Sequence, residues 1–249
     1  NYLGAEAIEQ WSPDHRLLGS ITVPPNEPLT SSAVLTISQD GVLVVADALA
    51  DRVHLFEFAR SRFADIGLWH WAKQEIGALS SARIVNGYED GLYHGDWPVT
   101  RDLMAVFVAR GDSGGEEYMS PPPATPSFTD IPRDHWAYWY IEYLKAQGIA
   151  FGYPDGLYHP DRQVVRGEMA VYIARAMAGG DGAVPQGPAD PTFPDVTSGG
   201  RWGWCSDHVE YLVSQSVVAG YPDGLYHPAE QVTRDQMAVY VQRAFRLPL

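Results

Sequence analysis

The chain has 249 residues, 45% of them hydrophobic and 19% charged, a composition that supports one large core or two smaller ones and excludes disorder throughout. Its 31 acidic against 17 basic side chains give a formal charge of −14, which repels nucleic-acid phosphates because no Lys/Arg run offsets it. No stretch approaches the roughly 18 apolar residues that cross a bilayer, and the single cysteine, Cys205, excludes an internal disulfide or a multi-cysteine metal site and reads as buried packing, an intermolecular bridge being the one other option.

The sequence starts at Asn1 rather than Met, as a processed chain that has lost an export signal would. Residues 1–60 then read as β-rich. Four short runs, Arg16–Ile21, Ala33–Ser38, Val42–Ala46 and Val53–Phe58, are separated by turn signals such as Asp40-Gly41, and predict one four-stranded antiparallel sheet. The stretch Ile37-Ser-Gln-Asp-Gly-Val-Leu-Val-Val-Ala-Asp followed by Asp51-Arg-Val-His-Leu-Phe resembles a single blade of an NHL-type β-propeller. An additional run, Ala7-Ile-Glu-Gln-Trp11, matches Arg52-Val-His-Leu-Phe56 at a 45-residue offset and reads as the last strand of a missing preceding blade. A lone blade leaves strand edges exposed, so either the chain is the C-terminal part of a longer protein or the orphan strand pairs with another subunit, giving a dimer or an open polymer.

The remainder is built on an internal repeat. Gly-Tyr-x-Asp-Gly-Leu-Tyr-His occurs at Gly87, Gly152 and Gly220, preceded by Phe-x-Asp at Phe63, Phe128 and Phe193 and followed by Arg-x-x-Met-Ala at Arg101, Arg166 and Arg234. The Phe-to-Gly distances are 24, 24 and 27 residues, the third lengthened near Ser198–Arg201, where a loop is expected. With that insertion allowed for, Trp71, Trp136 and Trp204 are equivalent, each at the start of a helical stretch such as Trp136, Ile141, Leu144, with Gly148 as its stop.

In the central turn, Pro fixes one φ, Asp bonds its neighbouring backbone and Gly accepts positive φ. A second helix then opens near Thr100, Val165 or Thr233. Thr233 and Gln236 have the spacing of a capping box, and Val165 leaves the second copy uncapped. Met169, Ile173 and Ala176, repeated as Met237, Val241 and Ala244, form an apolar stripe. One helix pair cannot bury such a face alone, so three pairs packed around a common axis are expected. The predicted division is a β-rich segment over 1–60, modules over 61–111, 127–178 and 192–249, and Gly/Pro-rich linkers over 112–126 and 179–191.

Phe-x-Asp, His-Trp-Ala, Gly-Tyr-Pro-Asp-Gly and Val-Thr-Arg-x-x-Met-Ala together resemble the S-layer homology (SLH) family, in three copies over residues 63 to 245. The resemblance implies an α+β chain whose helical part is a pseudo-threefold domain, with grooves between modules that bind an anionic, often pyruvylated, cell-wall polysaccharide and so anchor an extracellular protein to a bacterial surface. The family's Thr-Arg-Ala-Glu signature reads here Thr-Arg-Asp-Leu, Val-Arg-Gly-Glu and Thr-Arg-Asp-Gln, keeping Arg101, Arg166 and Arg234 but its glutamate only as Glu168. Those four residues and Trp71, Trp136 and Trp204 are the candidate glycan contacts, the arginines through a planar fork beside a helix N-terminus and the tryptophans as a stacking wall. The competing reading pairs each arginine with an aspartate such as Asp102 or Asp235 and puts each tryptophan in the core.

Asp90, Asp155 and Asp223 fall short of a calcium cage and read as turn residues. His94, His159 and His227 recur without a second ligand nearby and read as packing or turn bonding. Gly111-Asp-Ser-Gly-Gly115 matches the nucleophile segment of chymotrypsin-like proteases but lies between a helix and a Pro-rich stretch, with nothing to supply a base or an oxyanion hole. No Gly-x-Ser-x-Gly, His-Glu-x-x-His, phosphate-cradling glycine loop or haem-attachment Cys-x-x-Cys-His is present. The expectation is a non-enzymatic surface anchor needing no metal or cofactor, its partner a wall polysaccharide. The alternative is a homo-oligomer or homopolymer built through the orphan strand, and a surface enzyme's C-terminal anchor comes third.

Overall fold

The computed structural model describes residues 62–67 and 69–249 in full and, within residues 1–61, the backbone of five strands. The chain divides into two compact units, Asn1–Lys73 and Gln74–Leu249.

In the first unit β1 (Ala7–Trp11) pairs antiparallel with β2 (Leu17–Thr22), and β3 (Val34–Ile37), β4 (Val42–Asp47) and β5 (Arg52–Glu57) form an antiparallel meander. This corrects the expected single four-stranded sheet: β2 is hydrogen-bonded to β1 and not to β3. Five residues separate β1 from β2, so that hairpin closes at small entropic cost. The eleven residues between β2 and β3 include Pro24, Pro25 and Pro28, which lack the N–H that a ladder needs. The strand expected to be an orphan therefore has its partner in its own chain, and the reading of Ala7–Trp11 as the remnant of a missing blade does not hold.

Among the described residues six α-helices follow: α1 (Lys73–Ser81), α2 (Arg101–Ser113), α3 (Tyr138–Ala146), α4 (Arg166–Ala178), α5 (Ser206–Ser214) and α6 (Arg234–Phe245). Each first helix starts two residues after its tryptophan, and each second helix starts at its arginine, as the spacing predicts. Gly148, at φ +67°, ends α3 in the left-handed conformation that glycine adopts without strain.

In the second unit α2, α4 and α6 pack against one another, α3 lies on α2, and α5 lies on α4. Met104, Met169 and Met237, with Val108, Ile173 and Val241 one turn on, are fully buried; each such side chain contributes about 1.5–3 kcal/mol. This mutual burial is why a pair that is unstable alone is stable as three. The linker expected from residue 112 starts later, because α2 runs on to Ser113. A Cβ on Gly111 would fall 2.4 Å from the Phe245 ring, so this glycine permits the close approach of α6 rather than opening a loop. Ser113 donates to the Gly115 carbonyl at 2.9 Å, and the protease-like pentapeptide is a helix terminus.

The segments before the second helices close a ring. Val99 N–H donates to Val232 O, Val232 to Val164 O and Val164 to Val99 O, at 2.8, 3.0 and 2.9 Å. The bridges Pro98–Thr233, Thr100–Gln163 and Val165–Gln231 repeat the same relation. Each module therefore completes the backbone hydrogen bonding of the others, and none of the three can leave without exposing unpaired donors.

Candidate functional site

The central turn is the same in all three copies. Gly91, Gly156 and Gly224 sit at φ +78° to +81°, and His94, His159 and His227 are held at +55° to +57°. Asp90, Asp155 and Asp223 each accept the N–H of the following leucine at 2.9–3.0 Å and meet the histidine Nε2 at 2.7 Å. Those backbone bonds, with the imidazole second or third in weight, hold the carboxyls below their usual range. Further support comes from the Phe-x-Asp element. Asp130 accepts the N–H groups of Tyr158 and His159, and Asp195 those of Tyr226 and His227.

The turn delivers its second tyrosine to the arginine of another module. Arg101 Nε donates to Tyr158 O, Arg166 Nε to Tyr226 O and Arg234 Nε to Tyr93 O, each at 2.9 Å. The hydroxyls of Tyr158, Tyr226 and Tyr93 return to the carbonyls of Arg101, Arg166 and Arg234. Burial pushes the Tyr158 and Tyr226 phenols well up, so both stay protonated donors. Each guanidinium lies over aromatic rings: Arg101 over Tyr153 and Tyr158, Arg166 over Tyr221 and Tyr226, and Arg234 over Tyr88 and Tyr93, all within 5 Å.

The sequence therefore locates the arginines correctly but not their surroundings. All three residues are 3% exposed, and they pair with carbonyls and tyrosines rather than with Asp102 or Asp235. The helix N-termini beside them are occupied as well. The first two amides of α2, α4 and α6 donate to carbonyls of another module, for example Arg101 N to Arg162 O and Asp102 N to Pro160 O, both at 3.0 Å.

Glu168 bonds within its own module. It accepts from the Tyr153 hydroxyl at 2.9 Å, meets Arg162 Nη2 at 3.2 Å and accepts the Val165 N–H at 3.3 Å. That last bond gives the second copy a reach-back cap that its sequence seemed to lack. In the third copy Gln236 accepts the Thr233 N–H, while the Thr233 hydroxyl turns to Asp235 instead of the helix amide.

The tryptophans are the reverse case. Trp71, Trp136 and Trp204 are 57%, 58% and 51% exposed, and the core reading fails for them. Trp136 spends its one polar atom on Asp102, Nε1 to Oδ2 at 3.1 Å, which carries the indole to the N-terminal end of α2. There it borders a cleft of about 420 Å³ whose wall also includes Tyr88, Thr100, Asp102, Leu103, Tyr140 and Arg234.

The three arginines differ at this point. Arg166 also donates to Tyr240 Oη and to Ala219 O, and Arg101 also donates to Phe151 O. The Arg234 guanidinium makes one hydrogen bond among the described residues, from Nε to Tyr93 O, and its Nη1 and Nη2 make none. Phe107 stands where the Arg166 site has Tyr240, so no hydroxyl is available. A cation that is mostly desolvated yet keeps free N–H donors toward a cleft suits an anionic or hydroxyl-rich guest. Among the described residues no cluster of three or more His, Cys, Asp or Glu side chains is placed to hold a metal ion, and no helix is long and apolar enough to cross a membrane.

The S-layer homology domain model matches residues 62–102, 127–170 and 192–238, just over half of the chain. The chain belongs to the S-layer homology family. It is 29% identical over 166 residues to cell surface glycoprotein 1 of Acetivibrio thermocellus, covering 64% of this chain and 7% of that protein. It is also 29% identical over 171 residues to the cellulosome-anchoring protein of the same organism, covering 69% and 37%. An endoglucanase of a Bacillus species is 26% identical over 143 residues, covering 57% and 14%. This SLH chain thus spans well under half the length of these relatives. The surface location expected from the sequence agrees with the first two, and no match to the family model falls within residues 1–61.

Proposed function

We propose that the chain is the anchoring part of a bacterial cell-surface protein and that its SLH modules hold an anionic cell-wall polysaccharide in the clefts between them. The observation that carries this reading is the Arg234 cleft, where a buried guanidinium with unspent Nη donors faces an open space flanked by the exposed Trp136 indole. A sugar ring offers an apolar face to an indole and a polar edge to a guanidinium, so the two chemistries fit one guest. The relatives support the reading by what their names say, a cell surface glycoprotein and a cellulosome-anchoring protein. The endoglucanase match is compatible with an anchor shared with enzymes, and the expected absence of catalysis in this chain is part of the proposal. Trp204, with Arg101, Arg166 and Glu168, is proposed to shape the equivalent clefts, with the arginines acting mainly through the rings they position, and Trp71 is proposed as a sugar contact of its own.

Assembly into a homopolymer through an unpaired strand and the edges of a lone blade loses its first support, because Ala7–Trp11 is paired to Leu17–Thr22.

Co-sedimentation with purified bacterial cell walls tests the anchor. The wild-type chain is expected to pellet with the walls, and a Trp136→Ala, Arg234→Gln variant of unchanged helical content is expected to stay in solution. A wild-type chain that remains in the supernatant would defeat the proposal.

A further inference from the structure

The residue four before each second-helix arginine is Trp97 in the first module, Arg162 in the second and Glu230 in the third. In the second module Arg162 lies over the Tyr153 ring, 4.9 Å to its centroid, and bridges to Glu168. In the third, burial and then the neighbouring Glu230 carboxylate raise the Tyr221 phenol to about 12. Both modules therefore set a charge beside the first tyrosine of the turn. The first module covers it with an indole.

All three turns share an edge-on Tyr–His pair, with ring centroids 4.9–5.2 Å apart. In the first module Trp97 stacks flat on His94, 3.8 Å between centroids and 12° between planes, and leans against Tyr88 at 5.2 Å. Trp97 is 46% exposed and Tyr88 42%. Because the imidazole already backs the indole and fixes its plane, burying the rest of the ring costs little side-chain entropy. Tyr88 also lines the Arg234 cleft, so this aromatic shelf sits at its mouth. The position equivalent to Glu168 here is Leu103, which also lines the cleft and places no carboxylate there.

We infer that Trp97, backed by His94 and abutted by Tyr88, is a stacking subsite for one sugar ring of the polysaccharide whose neighbouring unit enters the Arg234 cleft. The inference rests on the polysaccharide reading and makes this cleft chemically unlike the other two. Its recognition is partly uncharged, whereas the corresponding positions of the second and third modules are polar or charged.

The test is titration of the full chain with solubilised cell-wall polysaccharide, at low and at high salt, for wild type, Trp97→Ala, Trp97→Phe and Trp97→Arg. Loss of one aromatic stack is expected to weaken binding roughly five- to tenfold in the Ala and Arg variants. The Phe variant should recover most of it. The factor between wild type and Trp97→Ala should be the same at both salt levels, because a stack is not screened as a charge pair is. Thermal unfolding of the Ala variant, a substitution at a half-exposed site, should match wild type. If wild type binds and Trp97→Ala binds equally well, the stacking subsite is wrong while the anchor reading stands. A penalty that vanishes at high salt also overturns it. If wild type does not bind the polysaccharide at all, both fall.

Discussion

Arg166 and Tyr226 exchange two hydrogen bonds across a module boundary: the guanidinium Nε donates to the tyrosine carbonyl at 2.9 Å, and the tyrosine hydroxyl donates to the arginine carbonyl at 3.2 Å. The same exchange joins Arg101 to Tyr158 and Arg234 to Tyr93, so the series returns to the first module. Removing a guanidinium that makes three donated bonds takes the donor from the buried Tyr226 carbonyl and Tyr240 phenol and from the part-buried Ala219 carbonyl. Arg166→Met is therefore expected to lower unfolding free energy by about 3 kcal/mol or more, and Tyr226→Phe by about 1 kcal/mol, both measured by urea denaturation. An Arg166→Met midpoint equal to wild type would show that the exchange does not hold the modules together.

Arg234 should behave differently from Arg166, since it makes one of these bonds rather than three. Arg234→Met is expected to cost less stability, about 1–2 kcal/mol, but to weaken wall co-sedimentation more than any stability-matched core substitution. Parallel urea melts and pelleting curves separate the two effects. Equal stability losses for the two arginine variants would count against a distinct role for Arg234.

Cys205 is buried, its thiol bonded to Trp202 O at 3.1 Å, and burial pushes its pKa up to about 12. Thiolate is the reactive form. At pH 8 the folded chain should thus resist iodoacetamide while the urea-unfolded chain alkylates fully, which mass spectrometry reads directly. Rapid labelling of the native chain would place this sulfur elsewhere.

His208 has Nδ1 buried with no hydrogen-bond partner among the described residues, while its Nε2 faces Asp181 at 3.3 Å. Burial, with Arg175 nearby, outweighs Asp181 and Asp207 and holds its pKa below the ordinary 6.5. Below pH 6.5 the unfolded chain takes up this proton before the folded chain does, so the contribution of His208 to stability is full above 6.5. It is lost as pH falls toward the lower folded value. Replacing it in His208→Gln should flatten the stability-against-pH curve between pH 6.5 and 5 relative to wild type. Curves of identical slope would show that the imidazole does not titrate differently on folding.

What the amino-acid order determined by itself was everything with a short reach. The turn Gly-Tyr-x-Asp-Gly-Leu-Tyr-His, the helices opening at Arg101, Arg166 and Arg234, and the threefold repeat that requires shared burial all follow from local φ preferences and periodicity. The tertiary structure decided what those residues face. Local spacing could not show that Arg101 finds Tyr158 or that Arg234 finds Tyr93, partners 57 and 141 positions away. Nor could it show that Trp136 reaches out to Asp102 instead of inward, or that Ala7–Trp11 closes a hairpin with its neighbour. Trp97 holds in the first module the position of Arg162 and Glu230, but the order of residues does not show what its indole faces. Whether an indole is core or surface depends on what other modules bring against it, and that is a sum over non-local contacts.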